Sequence, residues 1–100
     1  MSVDSFKRTI EEGSPPADLA APLRALWYAA KGDWDQAHKI VQEEDTREAA
    51  WVHAYLHRVE GDQRNAGYWY GRAGKDFSEL SLGAEWDEIV AALQAADGGS

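Results

Sequence analysis

The stretch that decides the fold is Trp51–Gly74, WVHAYLHRVEGDQRNAGYWYGRAG. Apolar residues recur in it every three or four positions on both sides of Gly61-Asp62, which is typical of two amphipathic helices. Glycine ends a helix because it adopts positive φ without strain, and aspartate caps the next helix through its carboxylate. The stretch therefore predicts a helix, a tight corner and a second helix. The core positions predicted within it are Trp51, Ala54, Tyr55, Trp69 and Tyr70.

The same signals predict further helices on both sides of this stretch. They are expected over about residues 3–12, 19–31, 34–44, 47–60, 63–74 and 84–96. The expected N-caps are Asp4 or Ser5, Asp18, Asp33, Asp45 or Thr46, and Asp62. A linker, Gly13-Ser14-Pro15-Pro16, separates the first two helices because proline cannot continue a helix. The tail Asp97–Ser100 is expected to fray.

The corner Gly61-Asp62 has a counterpart in Gly32-Asp33, at an offset of 29 residues. At this offset four alanines fall on alanines: Ala20 on Ala49, Ala21 on Ala50, Ala25 on Ala54 and Ala37 on Ala66. Matched small residues let the helices of a repeated helix–turn–helix unit approach closely. Over Leu19–Gly74 the chain resembles the tetratricopeptide and Sel1-like repeat families. The resemblance is strongest in Gly32-Asp33 with Ala37, in Gly61-Asp62 with Ala66, and in the Sel1-like stretch Tyr68–Ala73, YWYGRA. The chain also resembles small uncharacterised bacterial proteins, a resemblance that implies no activity.

These observations predict a single all-α domain made of antiparallel helical hairpins. The N-terminal helix and linker occupy residues 1–18, two helix–turn–helix repeats occupy 19–74, and a loop, closing helix and tail occupy 75–100. The repeat is shorter than the ~34 residues of a tetratricopeptide unit, so the resemblance concerns architecture. It implies a tetratricopeptide-like, right-handed array of five or six helices, with the last helix covering the exposed end of the stack.

Composition narrows the classes of function. The chain has eighteen acidic and ten basic residues, a net charge of −8 and no basic cluster, so it should repel nucleic acids and anionic membranes. It contains no cysteine, which excludes disulfides and thiolate metal sites and fits a cytoplasmic location. Neither a signal peptide nor a run of about 20 apolar residues is visible. No phosphate loop, Ser-His-Asp set or nucleophilic cysteine is recognisable, so no catalytic residue is predicted.

Three histidines are the first candidates for a site. His53 and His57 are four residues apart and hence on one helix face, where they can hold a divalent metal if a third ligand arrives. His38 on the preceding antiparallel helix is the expected third ligand, with Asp35 or Glu60 assisting. The pattern is unspecific, because the glutamate of the zinc-protease motif is replaced by Ala54. The same histidines could instead edge the core, or act in acid–base or polar ligand contacts.

The second candidate is a line of glycines, Gly67, Gly71 and Gly74, on one face of the fifth helix. Gly74 can be a C-cap. Gly67 and Gly71 cost helix stability, so they call for a reason. Three explanations account for glycine at these positions: another helix of the same chain packs against them, they lie in a homodimer interface, or their backbone lines a ligand groove. Close packing within the chain is the favoured expectation.

Tyr68 should be exposed, because consecutive helical residues point ~100° apart and Trp69 and Tyr70 are assigned to the core. With Arg72 one turn later, it could form an interface. The leading functional prediction is a non-enzymatic scaffold that binds a protein partner or its own copy through Tyr68, Arg72, Gly67 and Gly71. The alternative is a small-molecule or divalent-metal site on His38, His53 and His57, which could be hydrolytic. No other cofactor is predicted.

Overall fold

The computed structural model describes residues 2–98, which form six α-helices and no β-strand. The helices are α1 (Val3–Glu12), α2 (Ala21–Ala30), α3 (Trp34–Gln42), α4 (Arg47–Val59), α5 (Gln63–Ala73) and α6 (Leu82–Gly98). The all-α prediction is confirmed. Asp97 and Gly98 belong to α6 instead of a frayed tail, and residues 99 and 100 lie outside the described part. No helix in that part is both long and apolar enough to cross a membrane.

The two Gly-Asp corners have the same hydrogen bonds. Gly32 and Gly61 both have φ +83°, and each following aspartate caps its helix by accepting from a backbone N–H at 3.2 Å. The Asp33 N–H donates to the Tyr28 carbonyl at 2.9 Å, and the Asp62 N–H donates to the His57 carbonyl at 2.8 Å. Donors and acceptors thus recur at the 29-residue offset, and the repeated corner is confirmed.

Two predicted caps are wrong. The N-cap of α1 is Ser2, two or three residues before the expected Asp4 or Ser5, because the Ser2 hydroxyl accepts from the Ser5 N–H. Asp18 adopts φ +66° upstream of α2, and Ala20 occupies the N-cap without a side-chain hydrogen bond. Proline in the first turn of α2 removes one N–H that would otherwise need an acceptor. At the α4 cap the expected Thr46 is confirmed, since its hydroxyl accepts from the Ala49 N–H at 3.0 Å.

Helix α4 is the centre of the molecule. Nine consecutive residues, 49–57, are buried, and α4 packs against α2, α3, α5 and α6. The sequence has apolar side chains on two adjoining faces of this helix, Trp51, Ala54 and Tyr55 on one and Val52, Leu56 and Val59 on the other, which predicts a central helix. The packing confirms this prediction, although Val59 itself is 43% exposed. The alanines allow the close approach, since Ala49 and Ala54 are at most 1% exposed. Every polar side chain in this span must therefore find a partner on another helix.

Helix α6 lies across the first helices of both hairpins, packing against α2 and α4 and more weakly against α1. The Trp86 indole N–H donates to the Leu26 carbonyl at 2.9 Å, and the Trp86 ring lies 5.8 Å from the Phe6 ring. The last helix was expected to cover the exposed end of the stack, and the surface that it covers is formed by α2, α4 and α1. The apolar side chains of α6 cover apolar side chains of α2 and α4, which would otherwise be exposed to water.

A buried carboxylate joins three helices. Glu85 of α6 is 0% exposed and accepts from the Trp51 indole N–H at 3.3 Å, the Tyr70 hydroxyl at 2.5 Å and the Arg58 guanidinium at 2.6 Å. Arg58 also donates to the Leu80 carbonyl at 2.7 Å. Burial, and then the hydrogen bond to Glu85, raise the pKa of Tyr70, so its hydroxyl keeps its proton. The desolvated carboxylate is thus compensated by three donors.

The glycines of α5 do not serve close packing within the chain. A Cβ added at Gly67 or Gly71 would meet no other atom within 4 Å, and both residues are exposed. The favoured expectation for them is wrong, because no helix of the described chain covers this face. Gly74 does act as the predicted C-cap, at φ +73°.

Removing Arg58 should test the buried carboxylate. Arg58→Met leaves Glu85 buried without its cation, so the free energy of unfolding should fall by about 3–5 kcal/mol in urea denaturation. Adding Glu85→Gln should recover part of this loss, because the stranded charge disappears. Arg64→Met, at an exposed arginine, should change stability by less than ~0.5 kcal/mol. Equal losses in the single and double variants would refute the ionic role of Arg58.

Substitution of Gly71 should report on the open face of α5. Gly71→Ala should raise the free energy of unfolding by roughly 0.5–1 kcal/mol, because alanine favours helix and its Cβ meets open space. Gly74→Ala should lower stability, because the position has positive φ. Thermal unfolding at several protein concentrations measures both. A concentration-dependent loss in Gly71→Ala would instead identify a homodimer seam.

Candidate functional site

The three histidines converge between α3 and α4. His38, His53 and His57 each offer a ring nitrogen, and the three nitrogens lie within 4.8 Å of one another. The Nε2 atoms of His38 and His53 are 3.0 Å apart, so in the neutral pair one ring donates its proton to the other. The convergence required for the predicted site is present.

Helix geometry explains this arrangement. His53 and His57 are one turn apart on α4, and their rings stack with centroids 5.0 Å apart and an interplanar angle of 20°. The ring of His38 stands nearly perpendicular to both, with centroids 4.7 Å from His53 and 5.5 Å from His57. An antiparallel hairpin with a short corner brings α3 alongside α4 at this level. Side chains distant in sequence thus form one cluster.

Two tryptophans enclose the cluster. The Trp34 ring stacks on His38 with centroids 4.7 Å apart, and its indole N–H donates to the Leu56 carbonyl at 2.7 Å. The Trp69 ring stacks on His53 with centroids 3.8 Å apart. Trp69 is half-buried, so its assignment to the core holds only in part: its ring covers the histidine.

Glu60 orients His57. Its Oε1 atom lies 2.6 Å from Nδ1 of His57. A carboxylate only accepts hydrogen bonds, so Nδ1 carries the proton, and in the neutral ring Nε2 keeps a free lone pair. Histidines that bind metals commonly donate their other N–H to a carboxylate in this way.

Among the described residues, His53 is the histidine of the cluster with a buried and unpaired ring nitrogen. It is 4% exposed, and its Nδ1 is a buried side-chain atom with no hydrogen-bond partner in the described part of the chain. Burial, and then the imidazoles of His38 and His57, lower the pKa of His53 to about 4. The pKa of His38 is also lowered, by burial and then by His57, while the carboxylates of Glu60 and Asp35 act in the opposite direction. His53 is therefore neutral at pH 7.

The carboxylates around the cluster differ in position. Asp35 is exposed and is not part of the group that lies within 4.8 Å, so the structure does not place it with the histidines as expected. Asp62 and Glu60 form a second group with His57. The carboxylate of Asp62 is engaged by the backbone N–H and side-chain amide of Asn65, which explains it as a helix cap.

The proposed interface residues lie next to Trp69, on the solvent-exposed surface of α5. Tyr68 is 56% exposed, as predicted. Arg72 donates to the Tyr68 hydroxyl at 3.1 Å and to Asp45 at 3.3 Å, and its guanidinium lies 5.6 Å from the Trp69 ring centroid. Arg72, Trp69 and His53 therefore form a stacked column from the surface to the cluster, and Gly67 and Gly71 remain open beside it.

Sequence reasoning missed the part played by two groups of residues. Helical spacing predicts Trp34 only as part of an apolar face with Ala37, Ile40 and Val41, and Trp69 only as a core residue, because stacking on a histidine leaves no periodic signal. Glu85 was not singled out. Its burial could have been predicted, because Glu85 lies three residues after Leu82 and four before Ile89, which places a charged side chain on the apolar face of the helix.

No family model matches this chain, and no curated protein or solved structure matches it either. The resemblance to tetratricopeptide and Sel1-like repeats therefore stays a prediction. The case for a function depends on the geometry of the site alone.

Titration of His53 should make stability depend on pH. Below pH 6.5 an unfolded chain binds a proton at this histidine, while the folded chain does so only near pH 4. Stability should therefore fall as the pH drops from 6.5 to 4, by about 3 kcal/mol, and should be unaffected by His53 above this window. Urea denaturation with chelator at each pH measures it.

The matched comparison is His53→Gln, which removes the titrating ring. The stability difference between wild type and variant should shrink as the pH falls through the same window, because only the wild type loses the neutral-histidine advantage. Carboxylates titrate alike in both proteins and cancel. A difference that stays constant from pH 7 to 4 would contradict the assignment.

Proposed function

We propose that this protein binds a divalent transition-metal ion through His38, His53 and His57. The observation that carries the proposal is the convergence of three imidazoles from two helices, with ring nitrogens within 4.8 Å. Three neutral nitrogen donors plus one exchangeable position are a usual coordination set for zinc and related ions. Glu60 supplies the outer carboxylate that such a set commonly has.

The spacing of the nitrogens supports this proposal. Metal–nitrogen bonds are about 2.0–2.1 Å long, so two ligands of one tetrahedral ion lie about 3.3 Å apart. The Nε2 atoms of His38 and His53 are 3.0 Å apart, held by a shared proton. A metal ion would replace that proton with a shift of a few tenths of an ångström. His57 would complete the set with Nε2, since its Nδ1 is bonded to Glu60.

The ligand chemistry narrows the choice of metal. Imidazole suits zinc, copper and nickel, whereas magnesium and calcium prefer oxygen ligands. The lowered pKa values of His38 and His53 support metal binding near pH 7, because protons compete less for these nitrogens. No catalytic residue is assigned, and metal binding is proposed as a non-enzymatic property of a cytoplasmic protein.

His53 limits the affinity. Coordination through its Nε2 puts the ring proton on Nδ1, which has no acceptor among the described residues. An unsatisfied buried donor costs about 1–3 kcal/mol. We therefore expect weaker binding than at a site whose three histidines are all backed by acceptors, by roughly one to two orders of magnitude.

The α5 surface favours a second candidate, the scaffold that binds a protein partner or its own copy. Exposed Tyr68, its bond to Arg72 and the open faces of Gly67 and Gly71 support it. A tetratricopeptide-like arrangement of α2–α5 is supported by the repeated corners and by the packing of each helix on the next. Helix α6 lies across α2 and α4, so this reading places the partner on α5.

Calorimetric titration of the untagged protein with zinc, nickel and copper at pH 7 tests the metal proposal. Wild type should bind one ion. His38→Ala should lose at least about tenfold in affinity, and Glu60→Gln about 10- to 100-fold. His38 is only half-buried, so its truncation should leave the fold intact, which circular dichroism checks.

The matched control is Asp35→Asn. It removes an acidic residue one turn from His38 but outside the cluster, so the affinity should stay within about twofold of wild type. Equal affinity in His38→Ala and wild type would mean that the ion binds to surface carboxylates. No heat with any of the three ions would end the metal proposal, and metal-independent self-association would then favour the scaffold.

A further inference from the structure

A second site lies on another side of α4. At about 100° per residue, Trp51 and Arg58 point in nearly the same direction, and His53 and His57 point more than 100° away from it. On the side of Trp51 a cleft of about 500 Å³ opens between α4, α5, α6 and the segment 75–81. Its walls combine aromatic rings with carboxylates. They include Trp51, Tyr70 and Phe77, and Asp76, Glu85 and Glu88.

The aromatic walls are held in place. Trp51 and Tyr70 both donate to Glu85, at 3.3 and 2.5 Å, so neither ring can turn freely. The Phe77 ring lies 5.0 Å from the Tyr70 ring and is 42% exposed. Aromatic rings that line one cleft, two of them fixed by hydrogen bonds, suit the recognition of ammonium groups.

The chain places its own cation in this cleft. The Lys75 Nζ atom lies 4.0 Å from the centroid of the Trp51 ring. The other three cation–π pairs among residues 2–98 are looser, at 5.6 to 5.9 Å. Lys75 follows the C-cap Gly74, and the segment from Lys75 to Ser81 forms no helix. The ammonium therefore marks a position that favours a cation and that the chain can vacate by moving a side chain.

The hydrogen bonding selects the kind of cation. Both oxygens of Glu85 are already engaged by Trp51, Tyr70 and Arg58, so it has little capacity left for the N–H groups of a primary amine. Glu85, Glu88 and Asp76 outnumber Arg58 and Lys75, so the field favours positive charge. A quaternary ammonium has no N–H to satisfy and is weakly hydrated. We propose that the cleft binds a quaternary alkylammonium group in place of the Lys75 ammonium.

The test titrates choline into the full chain and into Lys75→Ala, with the Trp51 indole N–H signal followed by NMR. Choline should shift this signal saturably, and the affinity should be at least about fivefold higher in Lys75→Ala, because the internal competitor is gone. Lys31→Ala is the matched control, since Lys31 lies over Trp27 at 5.9 Å and outside the cleft. It should behave as wild type.

Shape and charge are separated with 3,3-dimethylbutanol, the neutral analogue of choline. Equal binding of both molecules, or no choline binding to Lys75→Ala, would overturn the proposal. Phe77→Ala, at an exposed ring that leaves the fold intact, should weaken choline binding in the Lys75→Ala background, and an unchanged affinity would place choline elsewhere. A short peptide with trimethyllysine distinguishes the source: tighter binding than choline indicates a modified protein, and weaker binding indicates a free small molecule.

Discussion

The burial of α4 on all sides is the constraint on which the rest of the structure depends. Residues 49–57 are shielded by four other helices, yet the span and its C-terminal neighbour carry two histidines and an arginine. A buried polar group without a partner costs about 1–3 kcal/mol. The surrounding helices therefore had to supply partners: α6 brings Glu85 to Arg58, and α3 brings His38 to His53. The positions of the neighbours follow from what α4 buries.

The two polar clusters on α4 are satisfied to different degrees. Around Glu85 three donors meet two oxygens, which accounts for the cluster as a structural tie between α4, α5 and α6. Around the histidines, the buried Nδ1 of His53 has no hydrogen-bond partner among the described residues. Packing explains the first cluster. It does not explain the second, and for that reason the metal proposal is built on the histidines.

The sequence was sufficient for the helices, the central place of α4 and the approach of His38 to His53 and His57, because glycine, aspartate and apolar spacing act locally. It was insufficient where the outcome depended on which surfaces compete for cover. Helix α6 packs across α2 and α4, and Gly67 and Gly71 on α5 are left open. The stacking of Trp69 on His53 could not be predicted either. Apolar spacing predicts that a side chain is buried, but it does not identify the side chain that it contacts.

Comparison of the two 29-residue units shows which residues of the histidine cluster the repeated backbone does not require. In the first unit, Arg24 and Tyr28 occupy the places of His53 and His57, and Lys31 that of Glu60; in the second unit, Gly67 replaces His38. The corners are the same in both units, so the backbone does not require histidine at any of these places. The cluster exists only where α3 of the first unit meets α4 of the second, and the outer face of α5 meets no following hairpin within the described chain. Positions 38 and 67 are equivalent in the repeat. Gly67 lies on a helix face that no other helix of the described chain covers, whereas His38 lies on a helix face that contacts the imidazoles of His53 and His57.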